Sequence, residues 1–117
     1  MPRVSRRQRR VGEQIQEELS ALLQREVQDP RLAEVTITRV DMSPDLRRAE
    51  IYISTLGSQE EREIAAVAIQ AAAGYFRREL ARRLSLRFMP EIVFLRDDSL
   101  ERGQRIIDLI QDLQEGE

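Results

Sequence analysis

The chain contains no cysteine, histidine, tryptophan, lysine or asparagine. Without cysteine there is no disulfide framework and no thiolate metal site, which fits a cytoplasmic protein. Without histidine and cysteine the commonest general base and the thiol nucleophile are missing. No G-x-S-x-G elbow, P-loop or zinc motif stands in for them. An enzyme is therefore a weak reading. There is no long apolar run either. "IAAVAIQAAAGYF" is alanine-rich, is interrupted by Gln70, and is too short and too polar to span a bilayer. The start, "MPRVSRRQRR", is basic but leads into no apolar stretch, unlike a secretory signal. With lysine absent, all 19 cations are arginine. A GC-rich genome produces the same bias, so arginine is not evidence of selection for its fork geometry. The lack of Asn and Cys would suit a thermophile.

What is present is 117 residues, 41% apolar and 34% charged. That predicts one domain with a modest core under a heavily charged surface. The net charge of −2 is unevenly placed. Residues 1–10 hold five arginines and no acid, and residues 77–88 hold five more against Glu79 alone. Residues 106–117 carry four acids and no base. Such local asymmetry governs encounters with a polyanion more than the total does.

Periodicity divides the chain. Residues 1–10 read as a flexible basic arm running into a helix that Ser5 or a neighbour caps, with the folded core starting at Val11. Val11, Ile15, Leu19, Leu22, Leu23 and Val27 share one helical face. "DPR" at 29–31 stops the helix. "VTITRVDMS" is a strand whose apolar phase slips from Val35 and Ile37 to Val40 and Met42, predicting a bulge or a change of buried face. After the turn "PDL", "RRAEIYIST" alternates with Ala49, Ile51 and Ile53 on one face, making an antiparallel hairpin. Ser58 and Glu61 form a capping box. In the helix that follows, Ile64, Val67, Ala68, Ala71 and Ala72 form one stripe. Beyond Gly74, Phe76, Leu80 and Leu84 form another, so two helices or one bent helix would read alike. "MPE" breaks the chain before the short strand "IVFLR", and a last helix carries Ile106, Ile107, Ile110 and Leu113. Strand three returns after a helical crossover and should run parallel to strand two. The expected fold is α+β: α-β-β-α-kink-α-β plus a C-terminal helix, a three-stranded mixed sheet with helices on one face. This is the layout of a type II KH domain. It would occupy residues 11–113, with 114–117 an acidic tail.

Several segments together resemble the bacterial ribosome-binding factor A family. They are the basic start, "EELSALLQREVQDPRL", "VTITRVDMSPDLRRAEIYIS", "AAAGYFRREL", "RFMPEIVFLRDDS" and "GQRIIDLI". The specificity lies in their order and spacing. The resemblance implies a small cytoplasmic protein of KH type II fold, with no cofactor. It would bind the immature small ribosomal subunit, assist late processing of its rRNA including the 5′ end, and matter most in the cold. It further implies a monomer and an assembly GTPase as release partner. KH domains usually carry a GxxG loop that clamps a single-stranded backbone. The resemblance implies instead an interhelical kink at Ala72, Ala73 and Gly74, with the glycine allowing a bend or close helix packing.

Two arginine clusters are the candidate RNA contacts: Arg3, Arg6, Arg7, Arg9 and Arg10 in the arm, and Arg77, Arg78, Arg82, Arg83 and Arg87 around the helix after Gly74. Each has a plain alternative as a solvated face, with Glu79 and Arg83 placed to pair at i, i+4. Asp97, Asp98 and Glu101 are hard oxygen donors, but the stretch reads better as a helix cap than as a metal site. The rival to RNA binding is a KH-like adaptor that binds protein through its sheet or C-terminal helix.

Overall fold

The computed structural model describes residues 4–97. Helix α1 (Arg6–Arg25) is followed by a 3₁₀ turn at Pro30–Leu32, strands β1 (Val35–Met42) and β2 (Arg48–Thr55), helices α2 (Gln59–Ala71) and α3 (Ala73–Arg83), and strand β3 (Glu91–Arg96). The expected C-terminal helix and acidic tail, and Arg3, lie outside the described residues.

The first correction is at the N-terminus. Arg6–Arg10 are not an arm, because α1 begins at Arg6. The Ser5 hydroxyl accepts from the Gln8 amide at 3.1 Å, and the Gln8 side chain accepts from the Ser5 amide at 2.7 Å. This reciprocal box satisfies two of the donors a helix start leaves open. Gln8 then goes further: buried, it donates from Nε2 to the Met42 carbonyl at 3.0 Å. The core therefore starts at Gln8, three residues before the first apolar position of the stripe.

The sheet has the order β1-β2-β3, with β1 antiparallel and β3 parallel to β2. The register shifts between Ile37 and Arg39, where the apolar phase slips. That extra residue lets Val35, Ile37 and Met42 all bury on the face that carries Ala49, Ile51, Ile53, Ile92 and Phe94. The helices cover this face through Ile15, Leu19 and Leu22 of α1, Ile69 of α2, and Phe76 and Leu80 of α3, all essentially inaccessible to water. Phe76 meets Phe94 edge-on, with ring centroids 5.9 Å apart.

Helix α2 is rolled relative to its expected stripe. Ala65, Ala68 and Ile69 are buried, whereas Ile64 is 46% and Val67 71% exposed. The inward face follows i, i+3, i+4 spacing from Ala65, whose small side chains let the helix lie close to the sheet. Gln70 then reaches β3, where its Oε1 accepts from the Phe94 amide at 3.0 Å.

The break between α2 and α3 falls at Ala72, with φ −89° and ψ 3°. Its amide is shared by the Ala68 and Ile69 carbonyls, both at 3.1 Å, which tightens the turn out of α geometry. Gly74 sits inside α3 without a positive φ. A Cβ there would meet Arg78 Nη1 at 3.5 Å, an ordinary contact. The expected demand for a bend or close packing at Gly74 is therefore not present. Gly74→Ala is expected to stabilise the fold by about 0.5–1 kcal/mol, the helix-propensity difference. Urea unfolding checks this, and a loss of stability would contradict it.

The glycine that does face a close approach is Gly12. A Cβ there would lie 3.0 Å from the Val40 carbonyl oxygen, which is backbone. Gly12 lets α1 lie directly on β1.

Candidate nucleic-acid interface

Three segments converge at one end of the sheet: the start of α1, the β1–β2 turn and the α3–β3 loop. Each is held by a specific bond. Gln8 ties α1 to the end of β1. The Glu91 amide donates to the Arg47 carbonyl at 2.8 Å, joining β3 to the turn. The Arg77 guanidinium donates to the Met89 carbonyl at 2.8 Å and the Pro90 carbonyl at 3.1 Å, fixing the loop from α3.

Between them lies an open groove of about 840 Å³. Among the described residues, five arginines line it, Arg6, Arg7 and Arg10 from α1, Arg47 from the turn and Arg87 from the loop, against the single acid Asp45. Asp45 is engaged in building the turn. Its Oδ1 accepts from the Ser43 hydroxyl at 2.7 Å and the Arg47 amide at 3.1 Å. Those bonds, the Ser43 one foremost, hold its carboxyl below the usual range. Leu46 completes the turn at φ 61°, a left-handed conformation that costs a non-glycine residue roughly 1–2 kcal/mol, with its half-buried side chain packed against the core.

The arginines divide by how they are engaged. Among the described residues, Arg6, Arg7 and Arg10 make no side-chain hydrogen bond or ion pair, and Arg47 approaches Asp45 only to 4.0 Å. The first turn of α1 contains no acid. Cations there oppose the helix dipole, at roughly 0.3–1 kcal/mol each. Their placement is unfavourable for folding and favourable for an anionic partner.

The α3 cluster is largely occupied. Arg77 holds the loop. Arg82 pairs with Glu79 at 3.4 Å, and Arg83 pairs with Glu26 at 2.6 Å and Glu79 at 3.5 Å, linking α3 to the end of α1. Arg78 is exposed and makes no such contact among the described residues. Arg9 faces a different hollow, beside Glu13, Arg39 and Asp41. The fold thus joins Arg87 to the N-terminal arginines in one groove, which no arginine of α3 lines.

Two groove residues escape a reading of the sequence, Arg47 and Phe88. Phe88 is 70% exposed. The available signal is an aromatic beside an arginine in "LRFMPE", a loop between two breaks. Asp97, a possible metal donor by its residue type, instead accepts from the Thr38 hydroxyl at 2.7 Å. Asp98 and Glu101 lie outside the described residues. No cluster of three or more metal-ligating side chains occurs among the described residues. Nor is any helix among them long and apolar enough to cross a membrane.

Residues 7–110 match the family described as Ribosome-binding factor A. A protein of that name from Thermomicrobium roseum is 46% identical over 111 residues, covering 95% of this chain and 86% of that one. The solution structure of a Thermotoga maritima protein, described as a putative ribosome binding factor A, superposes with a TM-score of 0.69 at 36% identity, covering 85% of this chain and 93% of that one. A Thermus thermophilus homology model, fitted into the cryo-electron-microscopy map of a 30S complex, has a TM-score of 0.62 at 28% identity. The match covers 74% of this chain and 91% of that one.

Proposed function

The chain belongs to the ribosome-binding factor A family, and on that premise we propose that it binds the free small ribosomal subunit through its rRNA and assists late maturation, including processing at the 5′ end. It binds, catalyses nothing and leaves. The observation that carries this reading is the groove, where five arginines from three elements line one surface and four of them, all but Arg47, have no ion partner among the described residues. Arginines left open in this way neutralise phosphates and release condensed counterions. A groove walled by a helix, a turn and a loop suits the shape-based recognition typical of structured RNA. Occupancy would hold nearby RNA out of its mature position until assembly is complete. The 30S complex of the Thermus thermophilus relative supports the choice of subunit. A KH type II classification, a monomeric state, a cytoplasmic location, a role in the cold and release by an assembly GTPase belong to the same proposal.

Depletion of the protein in its host tests the maturation role. Free small subunits carrying 5′-extended rRNA are expected to accumulate and to clear when the wild-type chain is restored. Normal 5′ ends under depletion would remove that role.

A further inference from the structure

Phe88 does not fit a purely electrostatic surface. It lies on the groove wall, flanked by Arg87, with 70% of its surface open to water. The Arg87 guanidinium carbon sits 5.5 Å from the ring centroid, so an arginine and an aromatic are presented side by side. The loop that carries them is anchored by Arg77 through two carbonyls, so the ring stands on a fixed support. Arg6, Arg10 and Arg47 line the same groove.

We propose that this groove takes an unpaired nucleotide, with its base stacked on Phe88 and its phosphates on the arginines of α1 and the turn. This rests on the reading of the groove as the RNA face and adds the class of RNA it accepts. A duplex offers phosphates but keeps its base faces covered, so an exposed ring gains nothing from it. A single-stranded segment or bulge exposes a base face, and aromatic rings beside a basic track are the common platform for it. Arg87 can contribute as a second planar surface beside the stacked base.

The two parts separate experimentally, because stacking is nearly independent of salt and phosphate contact is not. Phe88→Ala should weaken binding to free small subunits roughly ten- to a hundredfold while leaving the slope of log affinity against log salt unchanged. The chain has no tryptophan, so Phe88→Trp introduces a single indole at the ring position, one that can be excited apart from the two tyrosines. Its emission should be quenched by a single-stranded RNA hexamer at low salt and not by a duplex of the same sequence. Circular dichroism of both variants should match the wild type, since Phe88 lies outside the core. Three results overturn the inference. If Phe88→Ala binds subunits as the wild type does, the groove reads phosphates alone. If the introduced indole responds equally to duplex and single strand, the ring does not select an unpaired base. If Phe88→Ala loses affinity but the hexamer leaves the emission of Phe88→Trp unchanged, the ring meets a protein. In each case the electrostatic reading stands or falls separately, by whether substituting the arginines lowers the salt slope.

Discussion

The triple substitution Arg6→Ala, Arg10→Ala, Arg47→Ala is expected to weaken binding to free small subunits roughly a hundredfold near 0.1 M salt. Each phosphate contact contributes about 0.7–0.9 to the slope of log affinity against log salt, so three contacts should remove about 2–2.7 units. The same variant should unfold at an equal or slightly higher temperature. Arg6 and Arg10 stand in the first two turns of α1, where no acid in the first turn offsets the dipole. Alanine there relieves an unfavourable charge, by roughly 0.3–1 kcal/mol near the first turn, and is the best helix former. Opposite signs for stability and binding distinguish this account from generic damage. The control is Arg82→Ala with Arg83→Ala. Those residues pair with Glu79 and Glu26, so their loss should cost about 1 kcal/mol or less of stability and leave the salt slope nearly unchanged. Isothermal titrations at several salt concentrations, with thermal melts alongside, measure both quantities.

Gly12→Val is expected to destabilise the fold by roughly 3 kcal/mol. A Cβ at position 12 meets the Val40 carbonyl oxygen at 3.0 Å, and neither helix nor strand backbone can turn aside as a flexible side chain would. Valine adds two methyl groups to that conflict, next to Met42. Gly12→Ala carries the same conflict with less bulk. Its gain of up to ~1 kcal/mol in helix propensity offsets part of an overpacking cost of about 1–3 kcal/mol. Of ~5–15 kcal/mol in a typical domain, the valine loss is a large share. Urea unfolding of both variants beside Gly74→Ala should give opposite signs at the two positions, and a stable Gly12→Val would mean that α1 does not lie directly on β1.

Local chemistry is legible in the sequence where one segment contains all of it. The bulge in β1 shows as a phase slip from Ile37 to Val40, Ser58 and Glu61 declare a capping box, and Phe76 and Leu80 mark the inner face of α3. Helix α2 misleads because alanine carries little pattern, so the larger Ile64 and Val67 draw the stripe away from Ala65, Ala68 and Ile69. Arg6–Arg10 resemble an arm because charge density resembles disorder. The reciprocal bonds of Ser5 and Gln8 and the bond from Gln8 to Met42 outweigh that repulsion, and the last joins residues 34 apart, beyond any local signal. The candidate site is obscured in the same way. Sequence groups Arg87 with its neighbours in the chain, whereas the fold places it with Arg6, Arg7, Arg10 and Arg47. Gly74 draws attention as a glycine among alanines, while Gly12, which has a carbonyl over it, looks like any other residue of an amphipathic helix.

On the proposed function, this groove is the face that meets RNA on the free small subunit. Co-sedimentation of the wild-type chain and the Arg6, Arg10, Arg47 variant with free small subunits, large subunits and joined ribosomes tests it most directly. The wild type is expected to travel with free small subunits and not with the other two particles, and the variant to be left at the top of the gradient near 0.1 M salt. Equal association of the wild type with joined ribosomes, or a variant that sediments with small subunits as fully as the wild type, would contradict it.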